Sequence, residues 1–364
     1  MTLLATPFHA RAAEANRLNA WMNRGGFTLA SDYGDAAGEA VAARFGAVLA
    51  DLSWLWRVKL TGPRAAEFVS RFFTRDASAL APGAGLRVLW LNDAGAVRGA
   101  GTIARLGRES FLLVAPMEDA DWLTNAARLY DVAAADVTSA DGILAVVGPA
   151  SRRILERAGL NAAMEPVTLK KLFWRGLDVT LSRFALGYEV WCEPDVALIA
   201  WDRLTAAGRC DALRPAGQRA MDILALESGL LRPVLDYAPA RDGFAPEPTP
   251  QSLGLGALVD RGHFFNGKRG FLAAGADTVL SGLLLDGETP VPNAPVMHEG
   301  RQVGRTLVSL YSPALRGAAA LAVFAAPPPE RGLMAGGIVC RAVALPLLPI
   351  PAPIAATENP SSTV

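Results

Sequence analysis

Hydrophobic and polar positions change their spacing several times along this 364-residue chain, and each change marks an element. Residues 10–23 and 35–46 are Ala-rich with intermittent charges. The second run follows Ser31-Asp-Tyr-Gly34, a capping-type sequence, and both read as helices. From Trp54 the pattern alternates and closes on Gly62-Pro63, which predicts a half-buried strand and then a helix over 63–73. Strand-like runs at 87–91 and 97–106 flank the turn residues Asn92-Asp-Ala-Gly95, and a third run follows at 110–115. A helix over 118–129 precedes a strand at 143–147, which ends on Gly148-Pro149 at a helix start. Strands at 179–184 and 187–191 and helices over 196–207 and 217–228 come next. The stretch 233–252 holds five prolines and reads as a long loop of the kind that carries function. After Gly275 strands dominate through Leu345, and 346–364 reads as a Pro- and Ser-rich tail. The pattern predicts an α+β body with a small all-β end.

Composition narrows the classes. The chain is 51% hydrophobic and 19% charged, so it is globular and buries a sizeable core. Lys plus Arg equals Asp plus Glu at 35 each, so nucleic acid and anionic membranes are not expected as partners. The cysteines (Cys192, Cys210, Cys340) and histidines (His9, His263, His298) are widely separated, which predicts neither a disulfide framework nor a metal site. No apolar run reaches the ~18 residues of a membrane span, and Pro7 and His9 interrupt what a secretory signal would keep apolar. A cytoplasmic protein is expected, with a homo-oligomer allowed. Gly99-Ala-Gly101 has no third glycine and opens no helix, so it is not a dinucleotide fingerprint.

Four ordered segments carry a more specific signal. They are Tyr33-Gly…Glu39…Arg44…Asp51-Leu-Ser53; Leu91-Asn92…Gly95 with Val147-Gly-Pro149; Gly187-Tyr188-Glu189 with Asp222-Ile-Leu-Ala-Leu-Glu-Ser-Gly229; and Thr249-Pro…Leu253-Gly-Leu-Gly…Val259-Asp260…Phe265-Asn-Gly-Lys268, followed by Val303-Gly304 and Ser312-Pro-Ala-Leu315. Together they resemble the folate-binding aminomethyltransferase family, typified by the T-protein of glycine cleavage. The last segment is similar to the tetrahydrofolate-dependent demethylase branches. The resemblance implies a three-domain ring around a folate channel. Its parts would be 1–53 with 142–270, then 54–141, then a barrel-like β domain at 271–345.

The family's Gly-Tyr/Phe-Glu implies that Glu189 accepts hydrogen bonds from the pterin edge, with Tyr188 lining the same channel; on an alternating strand Glu189 would otherwise face solvent. The departures matter as much. Where the T-protein turn reads Gly-Gly-Val-Ile-Asp-Asp, this chain reads Gly95-Ala-Val-Arg98-Gly-Ala100, and both carboxylates are gone. Arg87 stands where the family has Tyr. Met221 and Ala225 replace two arginines, for which Arg219 could substitute. Arg98 is placed to pair with a substrate carboxylate or phenolate, or is an exposed strand residue. Tyr237 and Asp236, inside the Pro-rich loop, are candidates for proton transfer at a leaving group. Trp54, Trp90, Arg87 and Tyr33 are candidate substrate contacts, the tryptophans being core residues otherwise.

These readings predict a tetrahydrofolate-dependent methyltransferase, a demethylase of a small methylated compound, with the aromatic supply favouring one-carbon metabolism linked to aromatic compound catabolism. A folate-independent lyase that releases formaldehyde from a hydroxymethyl-bearing aromatic is the alternative. A non-catalytic folate binder is the third, although the Lys-Gly-Cys-Tyr-type element of that branch is replaced by Phe265-Asn-Gly-Lys-Arg-Gly-Phe271.

Overall fold

The computed structural model describes residues 3–184, 186–240, 247–349 and 353. Part of the Pro-rich loop, 241–246, and most of the expected tail lie outside the described residues. The chain divides into two compact units, one of residues 1–53, 140–221 and 350–364, the other of 54–139 and 222–349.

The first unit is built on a six-stranded sheet. In spatial order its strands are Thr168–Trp174, Leu177–Phe184, Gly187–Cys192, Gly142–Val147, Val48–Asp51 and Arg214–Pro215. Leu49, Leu144, Val146, Tyr188 and Val190 point to one face and pack on Ile154, Leu155, Ala200 and Leu204 of two helices, Ser151–Ala158 and Ala197–Ala207. The opposite face carries the cross-strand row Ser182, Glu189, Ala145, Ala50, all buried. The helix expected over 10–23 is only His9–Ala15, and Trp21–Arg24 is a strand paired with Phe27–Ala30. Asn16 stops the helix: its side chain bonds both the N–H and the C=O of Ala20, and Asn19 takes a left-handed conformation.

In the second unit a five-stranded sheet orders Gly85–Leu91, Val97–Gly107, Ser110–Ala115, Trp56–Thr61 and Ala133–Asp136. Both of its faces are covered. Strand period two sends Val88 and Trp90 into a cluster with Phe68, Phe72 and Phe111, and Leu89 and Leu91 into a second with Leu226, Leu231, Phe265 and Phe271. A closed six-stranded barrel, from Val279–Leu285 to Ile338–Val343, completes the unit and adds Leu307 and Leu321 to that second cluster. This differs from the expected division, which places 222–270 with the first body. Leu226, Leu231, Phe265 and Phe271 bury their apolar surface against Leu89 and Leu91, so the segment goes with them. Gly95 serves that packing: a Cβ there would sit 2.1 Å from the Phe271 backbone nitrogen. Among the described residues no helix is long and apolar enough to cross a membrane.

Candidate functional site

In the first unit the polar groups gather at the N-terminal end of the helix Gln218–Glu227. Glu39 is buried, and its two oxygens accept from the backbone N–H of Tyr33 (2.6 Å) and of Gly217 (2.8 Å), tying the Tyr33 turn to the helix entry. Burial raises the Glu39 carboxyl above its ordinary range, and those N–H donors oppose the rise. Asp51 accepts from the Thr6 hydroxyl (2.6 Å) and from the Ser53 hydroxyl and N–H. Gln218 donates to the Asp51 carbonyl (2.7 Å). Tyr33 lines a narrow cavity with Thr6, Trp21, Asp51 and Gln218; burial, then Asp51 and Glu39, hold its phenol neutral. Arg219 reaches Asp32 at 3.2 Å with its side chain 67% exposed.

Glu189 and Tyr188 occupy opposite faces of the strand Gly187–Cys192, as neighbours on a strand must. The Glu189 carboxylate is buried and accepts a 2.8 Å hydrogen bond from the Trp191 indole, two residues along on the same face. Ala145 and Ala50 continue the row beside it, both fully buried. Tyr188 is a core residue whose hydroxyl donates to the Ala162 carbonyl (2.9 Å). Lining a channel together with Glu189 is therefore ruled out for Tyr188 by strand geometry.

In the second unit two arginines on adjacent strands have opposite surroundings. Arg98, 6% exposed, makes a bidentate pair with Asp119 (3.1 and 2.8 Å), and its guanidinium lies 4.1 Å from the Trp122 ring centroid. Trp90 donates its indole N–H to the same Asp119 (2.8 Å) and packs in the aromatic core over Gly99, where a Cβ would meet its ring. Arg98 is thus neither exposed nor open to a substrate, and Trp90 is a core residue; both expectations are corrected by Asp119, a partner 21 residues away that no local pattern announces. Trp54 is buried just ahead of the strand Trp56–Thr61.

Arg87 heads the row Arg87, Leu89, Leu91, which faces the cluster holding Tyr237. Arg87 is half-buried, and among the described residues no side chain hydrogen-bonds or ion-pairs with its guanidinium. Tyr237 is 9% exposed, and its hydroxyl has no hydrogen-bond partner among the described residues. Burial drives the Tyr237 phenol well above its ordinary value, with Arg87 pulling the other way. Asp236 is not available for proton transfer: Arg232 holds it with its backbone N–H (2.7 Å) and with Nε (2.9 Å) and Nη2 (2.9 Å), and Arg232 also bridges to Asp222 (2.8 Å). Arg232, missed in the sequence, closes the loop into a rigid turn around Tyr237.

The mixed α/β body with a small closed barrel thus carries a buried strand carboxylate, Glu189, in one unit, and Arg87 and Tyr237 facing one cluster in the other. The comparisons make the class specific. The chain matches the GCVT N-terminal domain over residues 9–261. It is 31% identical over 335 residues to the aminomethyltransferase of Frankia alni, covering 86% of this chain and 87% of that protein. It is 29% identical to the trimethylamine-oxide aldolase of Ruegeria pomeroyi and 31% to the 4-methylaminobutanoate oxidase (formaldehyde-forming) of Paenarthrobacter nicotinovorans. It covers 41% and 32% of those longer proteins, which align with 85% and 66% of it. The glycine cleavage system aminomethyltransferase T of Bartonella henselae shares the fold, with a TM-score of 0.81 and 22% identity over 96% of this chain and 99% of that one.

The chain belongs to the aminomethyltransferase (GCVT) family, and it is an enzyme. Proteins of this family bind tetrahydrofolate.

Proposed function

We propose that this enzyme removes a one-carbon unit from a small methylated compound, aromatic ones included, and passes it to tetrahydrofolate. The observation that carries the reading is Glu189, a buried carboxylate on a sheet face, oriented by Trp191 and flanked by Ala145 and Ala50. A buried carboxylate that already takes an indole N–H is a group of the kind that accepts N–H donors in a plane, and a pterin edge is a planar row of N–H donors, so Glu189 fits the folate by its chemistry. When bound, tetrahydrofolate supplies the nitrogen nucleophile that accepts the one-carbon unit.

The test is to incubate the purified protein and tetrahydrofolate with a panel of methylated acids, ethers and amines, and to follow methylated folate and formaldehyde. Folate-dependent product is expected; failure to bind folate at millimolar concentration overturns the reading. Glu189→Gln is expected to weaken folate binding by about 1.5–3 kcal/mol, the range for a hydrogen bond to a charged group.

A second reading is favoured by one observation. Where the T-protein turn carries carboxylates, this chain has Arg98, already neutralised by Asp119. A folate-independent lyase that releases formaldehyde needs no carboxylate at that turn; the Ruegeria relative is named an aldolase and the Paenarthrobacter relative is named as formaldehyde-forming. Formaldehyde release unchanged by omitting folate would select this second reading.

A further inference from the structure

We propose that Arg87 and the Tyr237 hydroxyl form a carboxylate-binding subsite, so that the molecule acted on is a small methylated acid rather than a neutral ether or a simple amine. The inference rests on the one-carbon-transfer reading for what the ligand does, but the subsite itself stands on unit-two geometry alone.

Arg87 presents a planar fork of five N–H donors, and no acceptor among the described residues takes any of them. The charged side chain nearest in effect is Arg75, whose guanidinium is of like sign and reaches the Arg87 backbone carbonyl at 3.2 Å. Asp236, the carboxylate beside Tyr237, is consumed by three donors of Arg232 and leaves the local balance positive. A half-buried cation and a buried hydroxyl, neither with a hydrogen-bond or ion-pair partner among the described residues, therefore face one cluster, a pairing that folded proteins avoid unless a ligand completes it.

The missing group is an anion, and its shape follows from the donors. A guanidinium fork meets the two oxygens of a carboxylate in a plane, and the Tyr237 O–H supplies one further donor at the inner end. The adjoining apolar cluster, with Leu89, Leu91 and Leu231, suits a small organic acid; a strongly hydrated phosphate dianion would lose more solvation beside it than one fork returns. Burial alone would make Arg87 easier to deprotonate, which a bound carboxylate would reverse.

Two sources can supply the carboxylate: the methylated substrate, or the glutamate of the folate. Binding to wild type, Arg87→Gln, Arg87→Lys and Tyr237→Phe is measured calorimetrically with matched probes. These are methoxybenzoate against methoxybenzene, dimethylglycine against trimethylamine, and formyltetrahydrofolate against the tetrahydropterin ring alone. Wild type is expected to prefer at least one acid by ~10-fold or more over its neutral match, with the preference lost in Arg87→Gln, partly kept in Arg87→Lys, and reduced by ~3–10-fold in Tyr237→Phe. If only the folate pair shows Arg87-dependent preference, the carboxylate is the folate's, and the subsite stands while the methylated-acid assignment falls. A preference that survives Arg87→Gln, or no preference for any acid, overturns the subsite. Because no turnover is read, Arg87-dependent acid binding by a protein that transfers no carbon to folate refutes the proposed reaction and leaves the subsite intact. Melting temperatures of the variants separate lost binding from lost folding.

Discussion

Arg87 and Arg98 stand on neighbouring strands of one sheet and differ in what the fold does with their charge. Arg98 sits beside Asp119 and Trp122, with Trp90 of the aromatic core sharing the same carboxylate. Arg87 faces the other way, toward Tyr237, and meets no carboxylate among the described residues. A buried charge that the protein has already paired is a structural element, whereas one that the protein leaves unpaired is available to a ligand. The difference lies in the partner and not in the arginine.

The largest break in that comparison would come from Asp119→Ala, which removes the bidentate carboxylate partner of the buried Arg98. A loss of about 3–5 kcal/mol in urea unfolding is expected. A loss under ~1 kcal/mol would mean that Arg98 is not structural, and the contrast would collapse. Arg87→Gln is expected to change stability by no more than about 0.5 kcal/mol in the same assay, because no hydrogen bond or ion pair between its guanidinium and the described residues is lost. A large destabilisation there would make both arginines structural.

Tyr237→Phe sharpens the contrast from the ligand's side. It keeps the packing with Leu89 and Leu231 and removes only the hydroxyl, so kcat/KM should fall by about 0.5–1.5 kcal/mol of transition-state stabilisation, with the melting temperature nearly unchanged. The smallest effect concerns pH. Because burial raises the folded-state phenol of Tyr237 above its unfolded value, its contribution is intact below pH ~10 and is lost as pH rises beyond that. The alkaline fall in stability should therefore be shallower in Tyr237→Phe than in wild type.

How much of the site was legible varied with the range of the interactions. The strand that carries Glu189 was readable because Gly187-Tyr-Glu189 is a local motif, and the strand is where expected. Tyr188 was misplaced by that same motif, since adjacent strand residues point to opposite faces. Arg98 was read from the loss of a turn carboxylate, but its partner Asp119 lies beyond another strand. Asp236 looked free in a Pro-rich loop until Arg232, four residues earlier, folded back onto it with both its backbone and its guanidinium. Helix 10–23 failed on a single residue, Asn16, whose amide competes with the helix for backbone partners.

The sequence by itself determined the class of fold, the order of most strands and helices, and the family, because alternation, capping residues and collinear motifs are properties of neighbours along the chain. It also determined which chemistry was on hand: carboxylates, tyrosines and arginines, with His and Cys sparse. Only the tertiary structure decided which of those groups remain available. Ion pairs and buried hydrogen bonds join residues 20 to 190 positions apart, and a charge is spent or left open according to what the fold brings within 3 Å of it. That is why Arg98 became structural, as Asp236 did through Arg232 four residues away, while Arg87 and Tyr237 face one cluster with no hydrogen-bond partner for either polar group among the described residues.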